Sequence, residues 1–324
     1  MSVLAPYSGT SLTTFSHARH ALVEALRRAE TPQGAIVLVP GFICRDVLAS
    51  IHAVGARAVF YAVDPELRPV DLDRHPTAHS VLAVDYFGIS QDMDPFFDLR
   101  DRDDTIVIED NAHGLLGRDP DARLLGTRGD FGLLSMRKTF HLPDGAALLD
   151  NRPNATAGSR ECVPGRRTSL RRRVARVDRA TGLPLMSGAR SLARLTRRAM
   201  GRASLPSSGV DDEVRLPDEP RISCAALRAL ERIDPEREAH RRRQLLTEVG
   251  SVLDSLGIES FAHRFGPLAA PYGIPFRATA VDAAKVARLV RRYHVHVMSW
   301  PDLPAAVAPD APDHYRDVWL ANFI

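Results

Sequence analysis

The sequence predicts an α/β protein with a large domain built on a mostly parallel sheet, helices on both faces, and a small α/β domain after it. Between residues 18 and 150, short apolar runs of strand length alternate with helical stretches, the pattern of parallel sheets joined by helical crossovers. From about residue 274 the pattern returns once, as strand, helix, strand. Residues 151–220 interrupt the alternation with arginines and with Pro153, Pro164, Pro184, Pro206, Pro217 and Pro220. We therefore divide the chain into a large domain over 1–222 and a long helix with a small C-terminal domain over 223–324.

Ala18–Glu30 reads as a helix with Ala21, Leu22, Ala25 and Leu26 on one face. Ala35–Val39, bounded by Gly34 and Pro40, is an apolar run of buried-strand type. A helix over Asp46–Val54 and a strand over Ala58–Val63 follow. Ser80–Val84 is the next strand and leads into Asp85–Gly88. A helix near Asp94–Arg100 precedes the strand Thr105–Ile108, and Asp130–Met136 and Ala146–Leu149 supply two more. The 151–220 stretch reads as helices on loops. A long helix is expected from Ser223 to Leu256, with Pro235 a potential kink. Strand Ile274–Ala278, helix Asp282–Tyr293 and strand Val295–Met298 complete the chain.

No run reaches the ~18 consecutive apolar residues of a membrane span. The N-terminus lacks the charged and apolar regions of a signal peptide. Cys44, Cys162 and Cys224 are odd in number and widely spaced, which argues against a disulfide framework or a zinc site. The expectation is a cytosolic protein without a metal. Net charge is +3, unevenly spread: residues 160–202 hold thirteen arginines against Glu161 and Asp178, a surplus of +11 that leaves −8 for the rest. Such a segment suits a packing helix with a solvated face, a phosphorylated substrate, nucleic acid or a lipid surface.

Of 43 basic residues only Lys138 and Lys285 are lysines. Arginine replaces lysine as a surface cation, but its guanidinium stays protonated and cannot attack a carbonyl. Lys138 sits in Ser135-Met136-Arg137-Lys138, and 28 residues upstream Asp110 ends the apolar strand Ile106–Ile108. A carboxylate at a strand end and a singular lysine meet the needs of a pyridoxal 5'-phosphate (PLP) site. The lysine binds the cofactor and shuttles protons, and the carboxylate keeps the pyridine nitrogen protonated. Donors at a helix N-terminus hold the phosphate, while a flat or polarizable side chain covers the ring.

The ordered motifs Val37–Cys44, Gly55–Phe60 with Val63-Asp64, Tyr86–Gly88 with Asp92–Asp94, Ile108–His113, Gly126–Phe131 and Ser135–Lys138 with Pro143–Gly145 carry a resemblance, extended by Arg221–Ala226 and Arg241–Arg243. On these residues the chain resembles the DegT/DnrJ/EryC1/StrS family of PLP-dependent aminotransferases, most of which act on nucleotide-linked keto sugars. The resemblance implies the fold type I, aspartate aminotransferase-like architecture. It implies that Lys138 forms the Schiff base, Asp110 pairs with the pyridine nitrogen, His113 lies near the phenolic oxygen, and Ser135 binds the phosphate. The phosphate loop falls on His17-Ala18-Arg19, where the family usually has Ser or Thr followed by Gly. Cys44 falls at the ring-stacking position, with Phe42 the other candidate cover.

The same resemblance implies glutamate or glutamine as amino donor, a keto sugar or related cyclic ketone as acceptor, and a homodimer in which the stretch around Arg221 serves the neighbouring site. Arg166, Arg167 and Arg171, Arg172 and Arg173 are candidates for an acceptor diphosphate, with Arg221 a further substrate candidate. Two alternatives stay open. One is another PLP reaction such as elimination or dehydration, disfavoured because dehydratases of the family lost the lysine. The other is a degenerate scaffold binding nucleic acid or membrane through its arginines.

Overall fold

The computed structural model describes residues 3–140, 142–156, 158–164 and 210–324. Strands β1 (Ser11–Phe15), β2 (Ile36–Pro40), β3 (Arg57–Val63), β4 (Pro69–Val70), β5 (Ser80–Val84), β6 (Ile106–Asn111), β7 (Phe131–Leu134) and β8 (Ala146–Asp150) form one sheet. Its order is β1-β8-β7-β6-β5-β2-β3-β4. The run β7-β6-β5-β2-β3 is parallel, and β8 and β4 add antiparallel partners. Every residue of β5 is buried, as a central parallel strand covered on both faces requires. The six strands expected between residues 35 and 149 all form, within a few residues of their expected ends. β1 was not expected: Ser11-Leu12-Thr13-Thr14-Phe15 is half polar, and only its register against β8 defines it.

Helices α1 (Ala18–Arg28), α2 (Leu48–His52) and α3 (Asp94–Asp103) are the expected crossovers. The one-turn helix α4 (Met136–Thr139) carries Lys138 directly after β7. The expected single helix from 223 to 256 is instead two, α5 (Cys224–Leu230) and α6 (Pro235–Ser255). Asp234 accepts from the backbone N–H groups of Glu236 and Arg237, and Pro235 takes the first helical position. A capping carboxylate followed by proline starts a helix rather than kinking one.

The C-terminal unit holds β11 (Gly273–Arg277), helix α7 (Ala280–Val290), β12 (His296–Ser299) and β13 (Val318–Asn322). β13, not anticipated, lies between β11 and β12 and pairs antiparallel with both. Its Leu320 and Ala321 are fully buried, so the last strand closes the small core. β9 (Cys162–Val163) and β10 (Ile222–Ser223) form a short parallel pair.

One expectation is overturned here. Cys162 and Cys224 are joined by a disulfide, leaving Cys44 as a free thiol. Pairing of β9 with β10 brings together residues 62 apart in sequence, a proximity that spacing alone does not reveal. The cysteine pattern therefore gives no support to a reducing compartment. Among the described residues no helix is long and apolar enough to cross a membrane.

Candidate active site

The carboxyl ends of parallel strands are where such sheets gather ligand-binding side chains. Here that edge carries Cys44 after β2, Tyr86 and Phe87 after β5, Asp110 near the end of β6 and Lys138 after β7. Neighbouring residues on a strand face opposite ways, so Glu109 and Asp110 part company. Glu109 turns into the protein, where Arg128 bonds it and Asp85, each at 2.7 Å. Burial and the adjacent Glu109 push the Asp85 carboxyl well up, while Arg128 opposes the shift. The network ties β6 to the loop that carries Phe87.

Asp110 faces the other way and stays partly accessible. Its Oδ1 accepts from the Ala112 N–H at 3.0 Å. Burial raises its pKa, with the charge of Lys138 and the Ala112 N–H pulling the other way. Such a carboxylate gains from a cationic partner.

Lys138 Nζ lies 3.1 Å from His113 Nε2 and 5.6 Å from the centre of the Trp300 ring. The His113 ring is stacked between Phe87, at 5.7 Å, and Tyr272, at 4.9 Å. Phe87 N–H donates to Nδ1 at 3.3 Å, and from this hydrogen bond we assign the proton of the neutral ring to Nε2. Burial, with the charge of Lys138, holds His113 well below the ordinary histidine range. The contact sets the His113 ring nitrogen against the amine that would attack a carbonyl. Gly88 permits the turn: its φ is +93°, and a Cβ there would meet the His113 carbonyl oxygen at 3.0 Å. Lys285, the other lysine, sits 51% exposed on α7 and pairs with Asp282.

Around the start of α1 the chain is cationic. His17 is the N-cap residue, and no side chain caps the helix. Arg19 reaches the Arg215 carbonyl and, at 3.6 Å, Asp46. Burial, then the charges of Arg137, Arg19 and His20, push His17 down to about 4. Ser135 is 1% exposed, and its Oγ finds no partner among the described residues. Cys44 lies near Lys138 and Asp110, and burial pushes its thiol up to about 12. Phe42 does not share this position: it is fully buried, packed on Tyr86 and Tyr315, and belongs to the core rather than to a ring cover.

Arg242 links the two parts of the chain. Fully buried on α6, it bonds Glu238 at 2.8 Å, the Pro271 carbonyl at 2.7 Å and the Thr139 carbonyl at 2.6 Å. It therefore holds the Lys138 turn against the residue preceding Tyr272.

The structure thus gathers Asp110, His113, Lys138 and Cys44 at one edge, with Ser135, Ala18 and Arg19 on the adjoining stretch. Arg221 stands apart, 55% exposed and paired with Glu219 at 3.0 Å. Arg166, Arg167 and Arg171–Arg173 lie outside the described residues. Phe87, Arg137 and Arg242 lay inside the quoted motifs without an assigned role, and Tyr272 and Trp300 were not singled out from sequence. A cavity of about 190 Å³ lined by Arg19, Cys44, Arg45, Asp46, Asp212 and Asp302 opens beside Cys44. A larger hollow of about 730 Å³ in the C-terminal unit is lined by residues such as Arg277 and Asp282, already paired with Asp317 and Lys285. We favour the smaller cavity because its Cys44 lies near Lys138 and Asp110.

The DegT/DnrJ/EryC1/StrS aminotransferase family matches residues 2–160. No curated protein sequence matches the chain. Among solved structures, a DegT/DnrJ/EryC1/StrS aminotransferase from Brucella abortus is 16% identical, with a TM-score of 0.62 over 98% of this chain and 82% of its own. Spr1654 from Streptococcus pneumoniae in its PLP form is 15% identical, with a TM-score of 0.63 over 99% and 84%. DesV from S. venezuelae with a ketimine intermediate is 19% identical, with a TM-score of 0.62 over 96% and 79%. These likenesses are of fold: a mostly parallel α/β sheet of fold type I.

Proposed function

We infer that this chain, with residues 2–160 matching the DegT/DnrJ/EryC1/StrS family, is a PLP-dependent aminotransferase. The observation that carries the reading is the meeting of the rare Lys138, its Nζ 3.1 Å from His113, with Asp110 at the carboxyl edge of the sheet. The residues present fit the cofactor on three counts. Ser135 Oγ is a buried donor without a partner among the described residues, suited to a phosphate oxygen. Asp110 is a carboxylate raised by burial that a pyridinium N–H would satisfy. The start of α1 offers backbone N–H groups with no side-chain cap.

PLP, when bound, supplies the electron sink that makes amino-group transfer between carbon atoms feasible. In this reading Lys138 Nζ is the attacking amine and afterwards moves a proton at the substrate carbon. His113 Nε2 orients Nζ, and the stack of Phe87 and Tyr272 fixes the imidazole. Asp110 holds a proton on the pyridine nitrogen. Cys44 borders the smaller cavity and would face a bound ring there. Retention of Lys138 favours transamination over dehydration.

We assign the donor as glutamate or glutamine and the acceptor as a keto sugar, nucleotide-linked, or a related cyclic ketone. A homodimer completes the proposal, with the exposed Arg221 available at its interface. The test is spectroscopic. Protein purified with PLP should show a visible band, and borohydride reduction with peptide mapping should put the label on Lys138. In a separate, unreduced sample glutamate should discharge the band in wild type. A label on Lys285, or no band at saturating PLP, removes the cofactor reading.

A further inference from the structure

Arg137, immediately before Lys138, has a guanidinium with no hydrogen bond or ion pair to any described residue, and its Nε is buried. An enclosed cation without a partner is costly, and folded chains usually pair one. Burial lowers its pKa, and Asp46 and Asp144 act on it only at a distance. Its backbone is fixed: Arg137 N–H donates to the Gly145 carbonyl at 3.0 Å, and Gly145 N–H donates to the Ser16 carbonyl at 2.7 Å. Two hydrogen bonds therefore connect Arg137 to the residue preceding the His17 cap of α1. Arg137 and Arg19 also act on His17, so their charges converge on that uncapped helix start. Orphan Ser135 Oγ stands two residues before Arg137 on the same short turn.

Resting on the PLP reading above, we propose that Arg137 is a cofactor-phosphate ligand of this chain, joining Ser135 Oγ and the first turn of α1 in an anion site. His17-Ala18-Arg19 offers no side-chain hydroxyl at the start of α1. A planar guanidinium offers two parallel donors to phosphate oxygens, and the dianion removes the cost of the unpaired cation. Cradle donors are thus supplied from the lysine turn as well as from α1.

The experiment compares PLP with pyridoxal, which lacks the phosphate, as ligands of the full-length chain, read by visible absorbance. In Arg137→Gln the affinity for PLP should fall ~10- to 100-fold, as loss of a charge-assisted contact implies, and that for pyridoxal by less than about 2-fold. Inorganic phosphate at millimolar concentration should raise the melting temperature of the cofactor-free wild type and leave that of Arg137→Gln unmoved. Arg137→Lys should keep the phosphate response and an intermediate PLP affinity. It also serves if the glutamine variant fails to fold. Equal losses for PLP and pyridoxal, or no loss for either, would overturn the assignment while leaving the cofactor reading intact. A wild type with no band for either compound overturns both, and shows itself before any variant is made.

Discussion

His113 Nε2 and Lys138 Nζ stand 3.1 Å apart although 25 residues separate them in sequence, and the imidazole is clamped between Phe87 and Tyr272. Replacing His113 by Phe retains an aromatic ring for the stack and deletes Nε2. We expect the fold to survive and the glutamate half-reaction to slow by ~10- to 100-fold, no more than the least that a positioned proton-transfer group contributes, because His113 orients the amine rather than carrying its proton. A stopped-flow rate near wild type would confine His113 to packing.

Asp110→Asn should bind cofactor and lose turnover. A neutral amide cannot hold the pyridinium proton, and losing a charge-assisted contact of a few kcal/mol corresponds to ~10²-fold or more in rate. The kcat for transamination, measured beside PLP stoichiometry, checks this. Near-normal kcat would reduce Asp110 to its bond with the Ala112 N–H.

Arg242→Met leaves the carbonyls of Thr139 and Pro271 without their donor. The variant should lose ~3–5 kcal/mol, as when one side of a buried charged contact is removed. Urea unfolding measures the loss. Because Thr139 adjoins Lys138, PLP affinity should fall with stability. An unchanged unfolding midpoint would contradict the tie between α4 and α6.

His17 sets a pH dependence in the cofactor-free chain. Its pKa is lowered to about 4 from an ordinary 6.5, so across that window the unfolded chain binds more protons than the folded one. Its contribution to stability is full above about pH 6.5 and is lost as pH falls towards about 4. His20 and His113, also lowered, act in the same direction. Melting temperatures should therefore drop on acidification through this range, and less steeply in His17→Asn. An identical slope in that variant would refute the contribution.

Neutralising Arg171, Arg172 and Arg173 together should raise KM for the keto acceptor several-fold and leave the glutamate half-reaction unchanged. Steady-state kinetics with each substrate varied distinguish the two. No change in either would make these arginines a solvated surface.

The central strands, α1 and the placing of Asp110 and Lys138 after strands were legible because each depends on local pattern. An apolar run bounded by Gly34 and Pro40 makes a strand, and an acid at the end of Ile106–Ile108 reaches the sheet edge. β1 and β13 were not legible, since Ser11–Phe15 and Val318–Asn322 become strands through their partners. Arg137 was in view beside Lys138, and its unpaired state would have been the signal. Only surroundings reveal that no partner is there among the described residues.

The sequence by itself determined the order of the central strands and their crossover helices and which side chains could do amine and carboxylate chemistry. Periodicity and residue type act over a few positions, and both are written in the chain. Only the tertiary structure decided that Tyr272 and Trp300 close on His113, that Arg242 ties Thr139 to Pro271, and that Cys162 meets Cys224. Those contacts join residues 29 to 187 apart, and they form because packed elements bury a shared apolar surface rather than because of any local repeat.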